Sequence, residues 1–315
     1  MIMETINRKD RIFVAGHKGM VGSAITRLLK KRGFENLVLR SSKELDLRDA
    51  LAVQRFFKSE KPEVVILAAA RVGGIQANMD FPAEFLHENL AIQNNIIHQS
   101  FLSGVKKFCF LGSSCIYPRE APQPMKEEYL LTGPLEPTNE GYALAKIAGI
   151  KMIEYYRKEY GFCGISLIPC NLYGTNDSFD PRRSHVLSAL VKKFVDAIDR
   201  GEKEVAIWGT GKARREFMHV DDAAEAVLFM MDAYDSSIIN IGWGEDISIK
   251  ELALLISQQT GFGGRLLWDT SKPDGMPIKC MDVTRMNNLG YFPRITLEEG
   301  IRKTISEYRE LKENK

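Results

Sequence analysis

Two side chains four positions apart, Tyr142 and Lys146, are of types that together can carry out proton transfer. They lie in a segment, 139–160, whose apolar periodicity predicts a helix, and this spacing places both side chains on one helix face. A phenol with its ordinary pKa of about 10 exchanges protons poorly at neutral pH unless a nearby cation favours the phenolate, and Lys146 can supply that cation. By spacing alone, the pair is also compatible with a boundary tyrosine beside a surface lysine.

A serine in a loop gives this pair a third partner. Ser113 lies in the stretch Gly-Ser-Ser-Cys-Ile-Tyr-Pro at 112–118, directly after an apolar segment that predicts a strand. Ligands of parallel sheets bind at the carboxyl ends of the strands, so the Ser113 hydroxyl is expected to reach the same ligand as Tyr142. Ser113 is therefore predicted to donate a hydrogen bond to a carbonyl group.

The elements that must position these residues alternate between strands and helices. Uninterrupted apolar runs predict strands at 12–15, 37–40, 64–67, 107–111 and 164–169. Apolar-periodic segments between them predict helices at 21–29, 49–59, 82–103 and 139–160. This order is typical of an α/β fold, a doubly wound, Rossmann-like parallel sheet that helices cover on both faces.

Beyond residue 174 the pattern predicts a second, smaller lobe of mixed α/β structure. A polar loop reaches residue 184, a helix follows to residue 200, and a short strand at 205–208 precedes a loop rich in Gly, Lys and Arg. A helix at 221–235 and a strand at 238–241 are expected to return to the main sheet. We predict a nucleotide-binding domain of 1–174 with 220–245, and a substrate-binding lobe of 175–219 with 246–315.

Three evenly spaced glycines lie between the first predicted strand and the first predicted helix. Glycine permits a tight turn and a close approach to a pyrophosphate, while the amides at the helix start attract its charge. The Gly-x-x-Gly-x-x-Gly spacing departs from the Gly-x-Gly-x-x-Gly fingerprint, but the strand–turn–helix context favours a dinucleotide site over an ordinary turn. The predicted cofactor residues of this turn are Gly16, His17, Lys18, Gly19, Met20, Val21 and Gly22.

Two cations near this turn predict which dinucleotide binds. Many NAD enzymes carry an acid at the end of the second strand for the ribose hydroxyls, where this chain has Arg40. Together with Lys18, Arg40 suits a 2′-phosphate, which favours NADP(H) over NAD. The alternative is that both are solvated surface charges, the commonest state of Lys and Arg.

Composition excludes several other classes of protein. The 43 Lys and Arg balance 41 Asp and Glu, which leaves no basic surface for a nucleic-acid partner. The longest apolar run, 64–70, is far too short to span a membrane, and the polar amino-terminal segment lacks the apolar core of a secretory signal. Five cysteines without paired spacing argue against a disulfide framework and against a metal site. We therefore expect a cytoplasmic protein.

These motifs resemble the extended short-chain dehydrogenase/reductase family. The glycine turn, Ser113, Tyr142 and Lys146 occur in the family's order, and the similarity runs nearly the whole length of the chain. The chain resembles, in particular, members that act on GDP-linked 4-keto sugars, through its segments at 16–24, 112–118, 136–143, 171–174, 215–222 and 272–275. Related sugar-nucleotide dehydratases usually place Asp-Glu where this chain has Ser114-Cys115.

The resemblance implies an NADPH-dependent enzyme with two activities. It would epimerise C3 and C5 of GDP-4-keto-6-deoxy-D-mannose and then reduce the C4 ketone, which gives GDP-L-fucose. Cys115 would be the base that removes the C3 and C5 protons, and His185 the acid that protonates the opposite face. Ser113 and Tyr142 would hold the C4 oxygen, with Tyr142 then donating its proton and Lys146 beside it. Without the resemblance, neither Cys115 nor His185 would be assigned a role.

The resemblance also assigns residues to the two ligands. Besides the glycine turn and Arg40, the cofactor is expected beside Leu111, Gly112, Ser113, Ser114, Lys146, Pro169, Asn171, Leu172 and His185. The GDP-sugar is expected to contact Lys193, Trp208, Arg215 and Asp274. The alternatives are that Trp208 is plain core and that Asp274 only shapes a turn. Relatives form dimers through the helix that carries Tyr142, which implies a homodimer.

Three other functions remain compatible with the sequence. A reductase or epimerase of a related GDP-keto sugar, such as a heptose, would use the same residues. An epimerase or dehydratase that keeps its NAD bound would consume no NADPH. A non-catalytic NADP-sensing protein would have no need of Ser113, Tyr142 and Lys146 as a proton-donating set.

Overall fold

The computed structural model describes residues 6–180, 184–272 and 274–314. The strands of this part of the chain are β1 (Ile12–Ala15), β2 (Leu37–Val38), β3 (Val64–Leu67), β4 (Lys107–Leu111), β5 (Gly164–Pro169), β6 (Asn171–Tyr173), β7 (Glu204–Trp208), β8 (Arg214–His219), β9 (Ile238–Ile241), β10 (Asp246–Ser248), β11 (Arg265–Asp269) and β12 (Ile278–Lys279). The helices are α1 (Met20–Lys31), α2 (Ala50–Glu60), α3 (Ile75–Asp80), α4 (Pro82–Leu102), α5 (Glu140–Tyr160), α6 (Val186–Asp199), α7 (Val220–Ala233), α8 (Ile249–Thr260), α9 (Thr284–Asn288) and α10 (Leu297–Glu313). Short 3₁₀ segments cover Ser114–Ile116, Glu127–Tyr129 and Pro137–Asn139.

A parallel sheet forms the centre of the larger lobe. Its strand order among the described residues is β2-β1-β3-β4-β5-β9. Every residue of β1, β3 and β4 is buried, because helices cover both faces and leave the sheet no polar side. The predicted doubly wound α/β fold is confirmed. The strand order reverses between β1 and β3, and ligands of such sheets bind at the carboxyl ends of the strands beside that point.

The helices on the sheet set the position of Tyr142 and Lys146. Helices α1 and α7 pack together on one face, and α2, α4 and α5 pack together on the other. Helix α5 lies close to β4, since a Cβ on Gly149 would be 2.8 Å from the ring of Phe110. This close packing brings the helix that carries Tyr142 and Lys146 next to the strand that leads into Ser113.

A smaller lobe has its own sheets and its own apolar core. Strand β8 pairs with β10, β12 and β6, and β11 pairs with β7 as a separate ribbon. Helices α6, α8 and α10 pack together beside these strands, with a core that includes Leu187, Phe194, Leu252, Ile256 and Ile301. Strand β9 pairs with β5, so the chain leaves the main sheet after β5 and re-enters it after β8.

The structure corrects the sequence prediction at three places. Strand β2 ends at Val38, not at residue 40, so Arg40 lies beyond the strand. The loop predicted after residue 208 contains β8, whose charged start conceals a strand that pairing on both edges stabilises. Helix α3 was not predicted. In the described ranges, no helix is long and apolar enough to cross a membrane.

Candidate active site

A cleft of about 1730 Å³ opens at the carboxyl ends of the main strands and is closed on its other side by the smaller lobe. All the residues that the sequence analysis assigned to catalysis, cofactor binding or substrate binding line this cleft. The fold therefore brings them to one place, while their individual roles stay predictions. Within the described part of the chain, no cluster of His, Cys, Asp and Glu is arranged to hold a metal ion.

The glycine turn presents backbone amides to the cleft. Gly16 has a φ of +87°, which favours glycine, and a Cβ on Gly22 would lie 2.1 Å from the carbonyl oxygen of Gly16. Helix α1 begins directly after this turn, and among the described side chains none caps Gly19 and no acid lies in the first helical turn. The first amides of α1 are therefore available to an anion such as a pyrophosphate.

His17 and Asn176 add side-chain groups to the glycine turn. Nδ2 of Asn176 donates to the carbonyl oxygen of Lys18 at 2.9 Å, which ties the glycine turn to the loop after β6. Nδ1 of His17 is buried and has no hydrogen-bond partner among the described residues. Burial, together with the charge of Lys18, lowers the pKa of His17. A neutral imidazole with an unused nitrogen can hydrogen-bond a ligand. The contact of Asn176 with the glycine turn was missed in the sequence analysis.

Arg40, the residue predicted to select a 2′-phosphate, is paired with a glutamate. Its guanidinium lies 2.6 Å from the Glu60 carboxylate and donates to the carbonyl oxygen of Leu39. Because both partners are about one-third exposed, the pair contributes at most about 1 kcal/mol. A phosphate carries more charge than a carboxylate and can therefore compete with Glu60 for Arg40.

Tyr142, Lys146 and Ser113 meet in the cleft. Nζ of Lys146 donates to the carbonyl oxygen of Leu111 at 2.8 Å and lies 5.7 Å from the centre of the Tyr142 ring. The Tyr142 hydroxyl lies close enough to Ser113 for the serine side chain to lower the pKa of the phenol. A carbonyl oxygen of a ligand can thus reach both hydroxyls, and the buried amino group of Lys146 lies over the ring of the phenol.

Burial changes the electrostatics that the sequence predicts for this pair. Loss of water disfavours the ammonium form and lowers the pKa of Lys146 to about 7. Burial also raises the pKa of Tyr142, and the hydrogen bond with Ser113 offsets only part of that rise. The predicted lowering of the phenol pKa by Lys146 is therefore not found, because burial and the neighbouring Cys115 both raise the pKa of Tyr142. Tyr142 is neutral, which is the form that can donate a proton.

Three hydrogen-bond donors surround the sulfur of Cys115. Sγ lies 3.2 Å from Oγ of Ser113, 3.3 Å from Nδ2 of Asn139 and 3.6 Å from Nζ of Lys279. Donors of this kind, one of them a cation, stabilise a sulfur that carries negative charge. Cys115 is half-buried and lines the cleft, so a ligand can reach it.

Two of these donors, Asn139 and Lys279, were missed in the sequence analysis. Asn139 directly precedes the helix that carries Tyr142, a position that could have been noticed. Lys279 lies 164 positions from Cys115, on β12, and its neighbours form no motif that links it to the sulfur. Only the folded chain brings Lys279 and Cys115 together.

The other cysteines differ from Cys115. Cys109, Cys170 and Cys280 are buried. Burial raises the pKa of all three thiols, for Cys280 to about 12. Their thiols therefore stay protonated at neutral pH, which agrees with the absence of an assigned role.

His185 precedes the first residue of α6 and is exposed on the cleft. Its preceding neighbours at 181–183 lie outside the described residues. The carboxyl group of Asp177 interacts with the imidazole of His185 and with the Ser188 hydroxyl, while burial raises the pKa of Asp177. Asp177 was not predicted.

The far end of the cleft has a tryptophan between cations. Trp208 is 58% exposed, so it is not plain core. The Nζ atoms of Lys193 and Lys272 lie 5.9 and 5.4 Å from the centre of its ring. Burial lowers the pKa of Lys193, whose Nζ also donates to the carbonyl oxygen of Ala206. An exposed aromatic face beside ammonium groups suits a nucleotide base and its phosphates, and Lys272 adds to the predicted set.

Asp274 and Arg215 are joined at the same end. The Arg215 guanidinium donates to the carbonyl oxygen of Asp274 at 3.2 Å. The Asp274 carboxylate accepts from the amide and the hydroxyl of Thr210, at 2.7 and 2.6 Å. Asp274 therefore joins Thr210 and Arg215 at this end of the cleft, and its role as a substrate contact or as a turn residue stays a prediction.

Comparison with known proteins identifies the family. The model of the NAD dependent epimerase/dehydratase family matches residues 12–242. This chain belongs to that family. The resemblance to extended short-chain dehydrogenases/reductases is thereby confirmed.

Members of this family and solved structures resemble the chain over nearly its whole length. GDP-L-fucose synthase 1 of Arabidopsis thaliana is 52% identical over 303 residues, which cover 96% of this chain and 94% of that protein. A GDP-6-OMe-4-keto-L-xylo-heptose reductase from C. jejuni is similar with a TM-score of 0.92 and 41% identity, covering 98% and 99% of the two chains. A GDP-L-fucose synthetase from Naegleria fowleri bound to NADP has a TM-score of 0.90 and 31% identity, covering 98% and 96%.

The residues of the cleft fit the dinucleotide of this family. A Cβ on Gly22 would clash with the carbonyl oxygen of Gly16, so glycine keeps this turn tight and its amides close together for a pyrophosphate. Nδ1 of His17, which has no hydrogen-bond partner in the described part of the chain, lies in the same turn. Asn171 and Leu172 begin β6 just beyond the end of β5, and Nδ2 of Asn171 is fixed by the carbonyl oxygen of Glu216 at 2.9 Å. One continuous surface of the cleft thus runs from the glycine turn to the hydroxyls of Ser113 and Tyr142.

Proposed function

We propose that this chain is an NADPH-dependent enzyme that epimerises C3 and C5 of GDP-4-keto-6-deoxy-D-mannose and reduces the C4 ketone to give GDP-L-fucose. The observation that carries the proposal is the sulfur of Cys115, held by Ser113, Asn139 and Lys279 on the same cleft as Tyr142. Epimerisation needs a base beside the ketone, and reduction by itself does not. The similarity to GDP-L-fucose synthase 1 of Arabidopsis thaliana supports the same substrate.

Epimerisation depends on carbon acidity beside the ketone. The carbonyl at C4 acidifies the protons on C3 and C5, and the Cys115 sulfur removes one of them. Ser113 and Tyr142 donate hydrogen bonds to the C4 oxygen and stabilise the charge that it gains. Inversion requires that the new proton arrive from the opposite face, and His185 supplies it. One cycle at each carbon leaves the sugar with the same composition and inverted configuration.

Reduction uses the same oxygen. NADPH, when bound by the glycine turn, Arg40 and the surface at Asn171, supplies the hydride to C4. The C4 oxygen then takes the proton of the Tyr142 hydroxyl. Lys146, next to that phenol, limits the negative charge left on it. At the other end, Lys193 and Arg215 bind the pyrophosphate of the GDP, and Trp208 stacks on its base.

A second candidate is a reductase or epimerase of a related GDP-keto sugar. The C. jejuni GDP-6-OMe-4-keto-L-xylo-heptose reductase, at 41% identity and a TM-score of 0.92, is the observation in its favour. Both candidates share the GDP end, the cofactor end and the C4 chemistry. They differ in the substituent at C5 of the ring, so the two substrates must be compared directly.

Assembly and location complete the proposal. We propose a homodimer through α5, because Leu144, Tyr155 and Tyr160 are exposed on that helix at 43%, 58% and 54% and Leu102 on the adjacent α4 at 58%. Such apolar side chains are typical of a protein interface. The cytoplasm is the proposed location, since a working thiol among five free cysteines needs a reducing compartment. Light scattering at micromolar concentration tests the dimer, and a monomer would exclude it.

Product analysis in D₂O tests the main proposal. The enzyme is offered GDP-4-keto-6-deoxy-D-mannose, or its GDP-4-keto-heptose counterpart, with NADPH or NADH. We expect one NADPH consumed for each GDP-L-fucose formed, deuterium at C3 and C5 by NMR, and slower turnover of the heptose and of NADH. Product without NADPH consumption would indicate an epimerase or dehydratase that keeps its NAD, and faster heptose turnover the second candidate.

Two variants separate the roles of the residues. Cys115→Ser is expected to suppress deuterium incorporation at C3 and C5 by about 10²-fold or more, the usual value of a general base. Tyr142→Phe is expected to bind the GDP-sugar normally while reduction collapses. Normal incorporation in Cys115→Ser would remove the base assignment. Unchanged turnover in Tyr142→Phe would show that another group donates the proton, whereas a wild-type protein that binds NADPH without turnover would favour a non-catalytic NADP-sensing protein.

A further inference from the structure

A fully buried carboxylate, Glu216, lies in β8 behind the active site. Its exposed fraction is 0%, and neither ligand of the proposed reaction is expected to touch it. Oε1 accepts from the amide of Gly244 and Oε2 from the amide of Met281, both at 2.8 Å, and the amide of Trp243 adds a third bond. One side chain thus holds two backbone segments on opposite sides of β8.

The surroundings of Glu216 are built for a carboxylate. A Cβ on Gly242 would lie 2.1 Å from Oε1, so glycine is needed for the acid to fit. The buried thiol of Cys170 lies close to this carboxylate, and a Cβ on Gly242 would also lie 3.4 Å from the Cβ of Cys170. Burial raises the pKa of Glu216 to about 7, which measures how costly this position is for a charged group.

The contacts of Glu216 lead directly to the sulfur of Cys115. Met281, which Glu216 holds by its amide, is two positions after Lys279. Strand β12 is parallel to β8 with Lys279 opposite Arg215, so the lysine is fixed by strand pairing on one side and by the Met281 anchor on the other. From this backbone, Nζ of Lys279 reaches to 3.6 Å from Sγ of Cys115.

We propose that Glu216 is a positioning residue for the base: its carboxylate fixes Met281 and thereby holds the ammonium group of Lys279 against the sulfur of Cys115. The importance of this contact for catalysis rests on the proposed function. The contact itself can be tested without substrate. Loss of the carboxylate releases the Met281 amide, so the segment after Lys279 keeps its bonds to Gln123 and Met125 but loses its anchor on β8, and the ammonium group moves away from the sulfur.

Alkylation of Cys115 by iodoacetamide reports this contact. In a Cys163→Ser background, which removes the other accessible thiol, mass spectrometry follows the rate from pH 6 to pH 10. Lys279→Met and Glu216→Gln are each expected to slow alkylation at pH 7 by about tenfold and to move its pH midpoint upward, because a neighbouring cation favours the reactive thiolate. The double variant should be no slower than Lys279→Met, since Glu216 acts through that lysine.

The matched control is Asp222→Asn. Asp222 is another buried acid that holds two backbone amides, those of Arg294 and Ile295 at 3.0 and 2.7 Å, but it lies outside the cleft. It is expected to lower the melting temperature and to leave the alkylation profile unchanged. An equal shift in Asp222→Asn, or effects of Glu216→Gln and Lys279→Met that multiply in the double variant, would overturn the proposal.

A second variant keeps the test decisive if Glu216→Gln does not fold. Glu216→Asp keeps the acid but shortens it by one carbon, and it is expected to shift the alkylation profile in the same direction. A folded Glu216→Asp or Glu216→Gln with the wild-type profile would exclude the positioning role. If the wild-type enzyme fails to turn over GDP-4-keto-6-deoxy-D-mannose, the proposed function fails, while the alkylation result still decides on Glu216.

Discussion

Nζ of Lys279 and Sγ of Cys115 lie 3.6 Å apart, although 164 positions separate the two residues in the chain. The lysine comes from the smaller lobe and the cysteine from the loop after β4 of the main sheet. The base of the proposed epimerisation is therefore completed only when the two lobes meet. Each lobe contributes one charge-bearing group to the same proton transfer.

Replacing Lys279 by Met should slow epimerisation while cofactor binding stays intact. The sulfur keeps Ser113 and Asn139 but loses its cationic donor, so we expect loss of C3 and C5 proton signals in D₂O to slow by about 10²-fold. The dissociation constant of NADPH, measured by fluorescence, should not change. Lys250→Met, on the exposed side of α8, is the control. A rate of C3 and C5 proton exchange in Lys279→Met equal to that of the wild type would show that the contact between Lys279 and Cys115 does not contribute to catalysis.

Replacing His185 by Asn should separate proton exchange from inversion. Cys115 can still remove a proton and return deuterium to the same face, so solvent exchange at C3 and C5 is expected to continue. Inversion needs a donor on the other face, and the product is expected to be reduced at C4 without inversion at C3 or C5. NMR coupling constants of the product distinguish the outcomes. A normally inverted product would show that another group is the acid.

Replacing Arg40 by Ala should weaken NADPH and leave NADH unaffected. Loss of a cation beside a 2′-phosphate is expected to raise the KM for NADPH by about tenfold, which corresponds to about 1.4 kcal/mol. Glu60→Gln serves as the matched variant, because it releases Arg40 from its ion pair and should not raise that KM. Equal losses for both cofactors in Arg40→Ala would place the 2′-phosphate elsewhere.

The buried Lys146 should make stability depend on pH in a defined direction. The pKa of Lys146 is lowered to about 7 in the folded protein, whereas an unfolded lysine titrates near 10. Between pH 7 and pH 9 the unfolded state therefore binds more protons, so the cost of burying the charge is relieved as pH rises. Relative to Lys146→Met, the wild-type free energy of unfolding should increase by about 2 kcal/mol over this range. Urea titrations at both pH values measure it, and a constant difference would refute the lowered pKa.

Much of the fold could be predicted because strands that are buried on both faces consist of uninterrupted apolar residues. Strands β3, β4, β5 and β9 begin and end where the apolar runs do, since each is covered on both faces. Strand β8 could not be predicted, because Glu216 looks like a loop residue until pairing and backbone amides bury it. Hydrogen bonds made by the fold determine that element.

The candidate site likewise has some features that the sequence could predict and others that it could not. Spacing along one helix places Tyr142 and Lys146 together, but it carries no information on desolvation, so the direction of the Tyr142 pKa shift was missed. Lys279 was missed because its contact with Cys115 joins two segments with no local pattern in common. Chemistry shared within one element is visible in a sequence, whereas chemistry shared between lobes is not.

The late return of β9 to the main sheet affects how this chain must be made. During synthesis, one edge of β5 stays unpaired after Pro169 has left the ribosome and until β9, which begins at Ile238, has followed. Segments of the smaller lobe are synthesised in between. An open strand edge is a template for unwanted pairing, so nascent chains in this interval are the ones that chaperones must protect. Cutting the gene after residue 174 would leave that edge permanently bare, and the two lobes cannot be produced as separate contiguous fragments.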